Sequence, residues 1–175
     1  MSFLGSLVNY FPRFSLQIWL LIFIVIFFTV IIARYMYCNK RWDKIKSCAA
    51  CCLIPYEFIL LLSTVFCRPS QNNYCVILQP FWTYIQIKNG VYNLRWEALY
   101  NVLAFAILGI ILKMFVQDNK RFLWIGIGTS VFIETSQLIL KRGVFEIDDI
   151  IHNAIGLLLG NIVYIIFFSV FRKKK

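Results

Sequence analysis

Five runs of about twenty apolar residues, each closed by basic or turn-forming residues, constrain this chain more than any other feature. A bilayer core is about 30 Å thick, and roughly 20 apolar residues in a helix cross it. The runs are Ser15–Ala33, Ala49–Phe66, Ala98–Val116, Phe122–Leu140 and Ile150–Phe171. What closes them, in order, is the basic stretch Arg34–Lys46, the breaker Arg68-Pro69, Gln117–Arg121, Lys141-Arg142-Gly143 and Arg172–Lys175. With 61% hydrophobic and 15% charged residues, 175 residues hold too much apolar surface for one water-soluble core. Disorder, collagen-like structure and a soluble α/β enzyme are disfavoured on the same ground. The expected fold is an all-α polytopic transmembrane helical bundle of five spans. The first run lacks a small-residue cleavage site behind it, so it reads as a retained span and not a signal peptide.

The net charge of +10 would suggest nucleic acid in a soluble protein, whereas in a membrane protein it is first a topology signal. Five spans put the termini on opposite sides. One side then carries Arg13, Arg68, Lys88, Arg95, Lys141 and Arg142, and the other side carries the remaining 12 of the 18 cations. The richer side should be cytoplasmic, which puts the N-terminus outside and the C-terminus inside. Trp42 and Trp124 then fall at the inner interface, and Trp19, Trp82 and Trp96 at the outer one, as interfacial tryptophans do. No nucleic-acid partner is needed to account for the charge.

Between the second and third runs, Tyr74–Ile87 is aromatic, apolar and interrupted by Pro80. It is too short to cross and too greasy for a free loop, so a re-entrant or interfacial helix is expected. The organisation expected is an N-terminal segment 1–44 with the first span and a basic loop, one membrane domain over 45–171, and a basic tail 172–175. Cys67 and Cys75 would share the outer side, where they could pair; Cys48 and Cys51 lack the partners that a zinc site needs.

Ionisable groups inside spans are costly and call for a partner or a task. At about 1.5 Å per helical residue, Asn101 and Asn153 lie about 5 Å from the outer boundary, Glu134 about 9 Å and Glu57 about 14 Å. The inner half holds no comparable group on this reckoning. Glu134 and Gln137 share a helix face with Gly126 and Ser130; Asp149, Asn153, Gly156 and Gly160 share another. Asn101, Phe105 and Gly109 form a third stripe. Small residues at this spacing let helices approach closely, or could serve a homo-oligomer. Packing the stripes together would gather Asn101, Glu134, Gln137, Asp149 and Asn153, with Arg142 near enough to pair with Glu134 or Asp149. The plainer alternative is structural: Asn and Gln bonding between helices, and Asp148 or Asp149 capping the last one. Asp148 and His152 are too generic a pair to mark a metal, and no metal or cofactor is expected.

Phe132-Ile-Glu134-Thr-Ser-Gln137, Arg142-Gly-Val-Phe145-Glu146-Ile-Asp148-Asp149 and Asn153-Ala-Ile-Gly156 with Gly160 resemble the signature of the VanZ-like membrane protein family. Asn101 to Gly109 is similar to its third-span segment, with Ile107 where proline is usual. Leu78-Gln-Pro80-Phe81 resembles its N-L-x-P-F segment, with Ile77 in place of asparagine. Tyr56–Arg68 resembles its second span, and the likeness covers residues 45–170. The family's namesake is associated with resistance to teicoplanin, a glycopeptide with a fatty-acyl tail, and no reaction is firmly assigned to the family.

The resemblance and the orientation together imply a cell-envelope protein whose outer pocket meets an amphiphile. That ligand would be a membrane lipid, a lipid-linked cell-wall precursor or a lipoglycopeptide. Asn101, Glu134, Gln137, Arg142, Asp148, Asp149 and Asn153 are the expected binding residues. Two alternatives stand beside it. In an interfacial lipid enzyme, Glu134 or Asp149 would be the general acid or base, although no nucleophile motif accompanies them. The other alternative is a lipid transporter or flippase subunit, which the lack of inner polar residues disfavours.

Overall fold

The computed structural model describes residues 15–172, with side chains to residue 167; Arg13, Lys173, Lys174 and Lys175 lie outside the described residues. Five helices are long and apolar enough to cross a membrane. They are α1 (Leu16–Cys38), α2 (Lys44–Leu61, prolonged by a π-helical turn Leu62–Phe66), α4 (Leu94–Phe115), α5 (Asn119–Ile139) and α6 (Ile147–Arg172). A short α3 (Trp82–Lys88) lies between α2 and α4. The bundle is the all-α membrane architecture expected. Several helices start a turn before their apolar runs because polar residues cap them: Asp43 accepts from the Lys46 N–H at 2.7 Å, and Asp118 from that of Arg121 at 2.8 Å.

Tyr74–Ile87 departs from expectation. Its first part is a strand, β1 (Cys75–Ile77), parallel to β2 (Val144–Glu146), with Cys75 opposite Val144 and Ile77 opposite Glu146. Only after Pro80 does the chain become helical. Proline disfavours helix in the residue before it, and Phe81 then takes a left-handed φ of 63° before α3 begins. The break satisfies the first half's backbone with a ladder, which an isolated interfacial helix would not need. Cys67 and Cys75 are exposed free thiols.

The bundle is organised by α4 and α6, which run parallel. Gly156 faces the Val102 carbonyl and Gly160 the Ala106 carbonyl, so closely that an added methyl would collide with backbone. Gly109 does the same from α4, its absent Cβ lying 2.6 Å from the Leu157 oxygen. The small-residue stripes are thus used inside one chain. On α5, Gly126 leaves the space that the Leu157 side chain fills. Leu108, Leu112, Leu157 and Phe122 are almost wholly buried around this point. Leu53, Leu60 and Val65 of α2 join the same cluster. Helix α1 packs on α2 through Ile22, Thr29 and Ala33, and otherwise exposes apolar side chains, as a lipid-facing helix does.

Gly160→Ala should destabilise the bundle by about 1–3 kcal/mol, because the colliding atom is backbone and cannot yield. Gly128 has open space around it, so Gly128→Ala should leave stability unchanged or raised. Thermal unfolding of both variants in detergent, read by tryptophan fluorescence, checks the contrast.

Candidate functional site

The polar residues assemble at the end of the bundle where α5, β2 and α6 meet. Ser130, Glu134 and Gln137 lie on one face of α5, and Asp149 and Asn153 are one turn apart on α6. The Asn153 amide donates to Ser130 Oγ at 2.9 Å. One turn nearer the end, Glu134 Oε2 accepts the Glu146 N–H at 3.3 Å. Asp149 acts electrostatically on Glu134 and is hydrogen-bonded by Asn101 of α4. The close approach of α4 and α6 is what brings Asn101 within that reach. Arg68, exposed just beyond α2, acts on Glu134, Glu146 and Asp149 alike. Glu134, Gln137, Asp148, His152 and Asn153 are each 2–3% exposed, whereas Asn101, Glu146 and Asp149 are half-buried. The group is therefore a closed seam with an accessible rim rather than an open pocket.

Asp148 and His152 face another way. Asp148 Oδ1 accepts the Phe81 N–H at 2.6 Å and Oδ2 the Thr83 N–H at 2.8 Å. The carboxylate thereby holds the left-handed residue and the start of α3 together. One turn on, the Tyr84 hydroxyl meets His152 Nε2 at 3.2 Å. Asp148 thus caps α3 rather than its own helix.

Gln137 and Arg142 fasten α2. The π-helical turn would place the Thr64 carbonyl against the N–H of residue 69, but that residue is proline. Gln137 Nε2 donates to it instead, at 3.2 Å. Arg142 Nη1 donates to the carbonyls of Phe66 at 2.6 Å and Arg68 at 2.9 Å. The expected pairing of Arg142 with Glu134 or Asp149 does not form, since main-chain acceptors at the helix end lie closer. Gly143 leaves room for this amide: a Cβ there would sit 2.7 Å from Gln137 Oε1, and the side chain would have to shift.

The opposite end corrects a second expectation, for it holds a buried ionisable group. Lys113 is 4% exposed, donates to the Gln117 carbonyl at 2.7 Å and Asn119 Oδ1 at 2.5 Å, and lies over the Phe122 ring. Gln117 in turn meets the Tyr164 hydroxyl at 3.1 Å. Lysine at the end of α4 complements the helix dipole, so its position in the run is explicable, but its burial is not legible from spacing. Phe105, Leu108, Leu112 and Leu157 form an apolar layer between the two polar ends. A cavity of about 430 Å³ at the α1–α2 turn, lined by Tyr37, Cys38, Lys40, Trp42 and Asp43, belongs to this lysine end.

Sequence reasoning passes over Arg68, Thr83 and Tyr84 as site residues. Arg68 stands out only as the basic close of the second run, and Tyr84 only as one aromatic in a greasy segment. Glu146 lies just outside α6. Burial, reinforced by the charges of Asp149, Glu97 and Asp148, pushes its carboxyl up to about 7. Among the described residues, no three His, Cys, Asp or Glu side chains are grouped to hold a metal ion.

The sequence profile of the family described as VanZ/LLP1 matches residues 14–168, nearly the whole chain. No curated protein and no solved structure matches significantly.

Asp148→Asn places an N–H₂ group against an N–H donor and should cost about 1–3 kcal/mol. Hydrogen exchange at Phe81 and Thr83 should quicken while the α4–α6 amides stay protected. For Glu146 the folded state holds the proton more tightly than the ordinary value of 4.5, so its contribution to stability is complete below that pH and is lost as pH rises through about 7. Unfolding midpoints measured from pH 4.5 to 8 should fall with rising pH, and Glu146→Gln should flatten that slope.

Proposed function

The chain belongs to the VanZ-like family, and we propose that it contributes to glycopeptide resistance of the teicoplanin type by binding an amphiphile at the carboxylate end of its bundle. In this reading the carboxylate end faces outward, with the N-terminus outside and the C-terminus cytoplasmic. The uneven distribution of cations supports that orientation. The ligand's head would meet Asn101, Asp149 and Glu146 at the rim, and its chains would lie against the lipid-facing helices. A lipid-linked cell-wall precursor or a lipoglycopeptide fits that description.

One observation carries the reading. Glu134 is buried between α5 and α6 with a single long hydrogen bond from a backbone N–H. Burying a carboxylate for packing alone is costly, several kcal/mol per ion, and an apolar residue of similar size would stabilise the bundle better. A role in recognition accounts for it. Gln137 and Arg142 act in this account by fixing α2, and Asp148 by fixing α3, so they shape the site from behind.

The apolar layer between the two polar ends favours binding over a conducting path through the bundle. Expression of wild type, Glu134→Gln and Asp149→Asn in a susceptible Gram-positive host tests the proposal. Teicoplanin tolerance should fall to the level of the empty vector for each variant, with membrane abundance unchanged. Wild-type tolerance in both variants would contradict it.

A further inference from the structure

We infer that the seam between α5 and α6 takes the ammonium head of a primary-amine amphiphile, with Glu134 and Asp149 as its counter-ions. The inference rests on the reading of this end as a ligand site and specifies the chemistry of the ligand. Its ground is a mismatch between acceptors and donors. Gln137 Nε2 donates to the Thr64 carbonyl, which fixes the amide's orientation and leaves Oε1 as a buried acceptor with no partner. Asn153 Oδ1 is likewise buried and unmet, while its Nδ2 is held by Ser130. Both residues are 2–3% exposed and lie one turn to either side of the Glu134–Asp149 level. Two carboxylates and the unmet Asn153 oxygen thus lie along one seam, and the unmet Gln137 oxygen packs against Gly143 one turn nearer the rim.

Donors are scarce there. The cation acting on both acids is Arg68, which stays exposed at the mouth. Arg142 turns its Nη1 to main-chain carbonyls. A phosphate or carboxylate head would bring further acceptors to a seam lined by two carboxyl groups, with its nearest cation out at the rim. A sugar hydroxyl or amide would bring donors without charge, and a quaternary ammonium charge without donors. A primary ammonium brings both, as a compact head with three N–H donors.

The test uses the full chain in phosphatidylcholine nanodiscs and three fluorescent amphiphiles of one chain length. They end in a primary ammonium, its N-acetyl amide and a phosphate. The ammonium probe should bind at least about tenfold more tightly than its acetylated twin, the worth of one charge-assisted hydrogen bond. Glu134→Gln and Asp149→Asn should each erase most of that preference. Arg68→Gln should tighten ammonium binding by about three- to tenfold, because a competing positive charge is removed; a misfolded protein would not show this gain. Equal or tighter binding of the phosphate probe, or an ammonium preference that survives both acid substitutions, overturns the inference and leaves the ligand-site reading standing. Failure of the wild type to bind any of the three overturns both.

Discussion

The close approach of α4 and α6 is the constraint on which the rest of this bundle depends. In a membrane, helices gain little from apolar burial against one another, so backbone proximity and packing must hold them. Gly156 and Gly160 let the Val102 and Ala106 carbonyls sit where a side chain would otherwise stand. That contact sets the level at which Asn101 meets Asp149. It also projects Leu157 into the notch at Gly126, which positions α5 and with it Ser130, Glu134 and Gln137. Glycines in the middle of the long helices thereby determine which polar groups meet at their ends.

A second layer of interactions closes that edge. Asp148 holds α3 by two backbone N–H groups, one of them on a residue in a left-handed conformation that ordinarily costs about 1–3 kcal/mol. Gln137 and Arg142 occupy the carbonyls that the π-helical turn and Pro69 leave open at the end of α2. The two short strands join the segment after α2 to the segment before α6. Polar residues in this region thus have two roles: some hold the frame, and Glu134, Asp149, Asn153 and Asn101 remain inside it.

The spans and the glycine stripes were legible in the sequence because both follow from simple periods, about twenty residues for a bilayer and four for a helix face. The gathering of Asn101, Glu134 and Asp149 followed from those same stripes. What could not be read was partner choice. Arg142 could be placed near the acids from its position in the turn, but its preference for the Phe66 and Arg68 carbonyls depends on the unwound end of α2. Asp148 reads in the sequence as a binding residue or else as a cap for its own helix, and instead it holds a helix 65 residues earlier in the chain. The β1–β2 pair has only three residues on each strand, too few for alternation to announce it, and Pro80 was the one visible sign of a break. Lys113 showed its charge but not its burial, which depends on the turn into α5 folding back over it.

The central claim is that the Glu134–Asp149 seam exists to hold a ligand and not only to hold helices together. Native mass spectrometry of the protein extracted gently from its membrane examines this most directly, by comparing the amphiphiles retained by wild type with those retained by Glu134→Gln and Asp149→Asn. The account predicts a discrete bound species on the wild type that both variants lose while keeping their ordinary mass and fold. The same bound species, at the same occupancy, on all three proteins would contradict it.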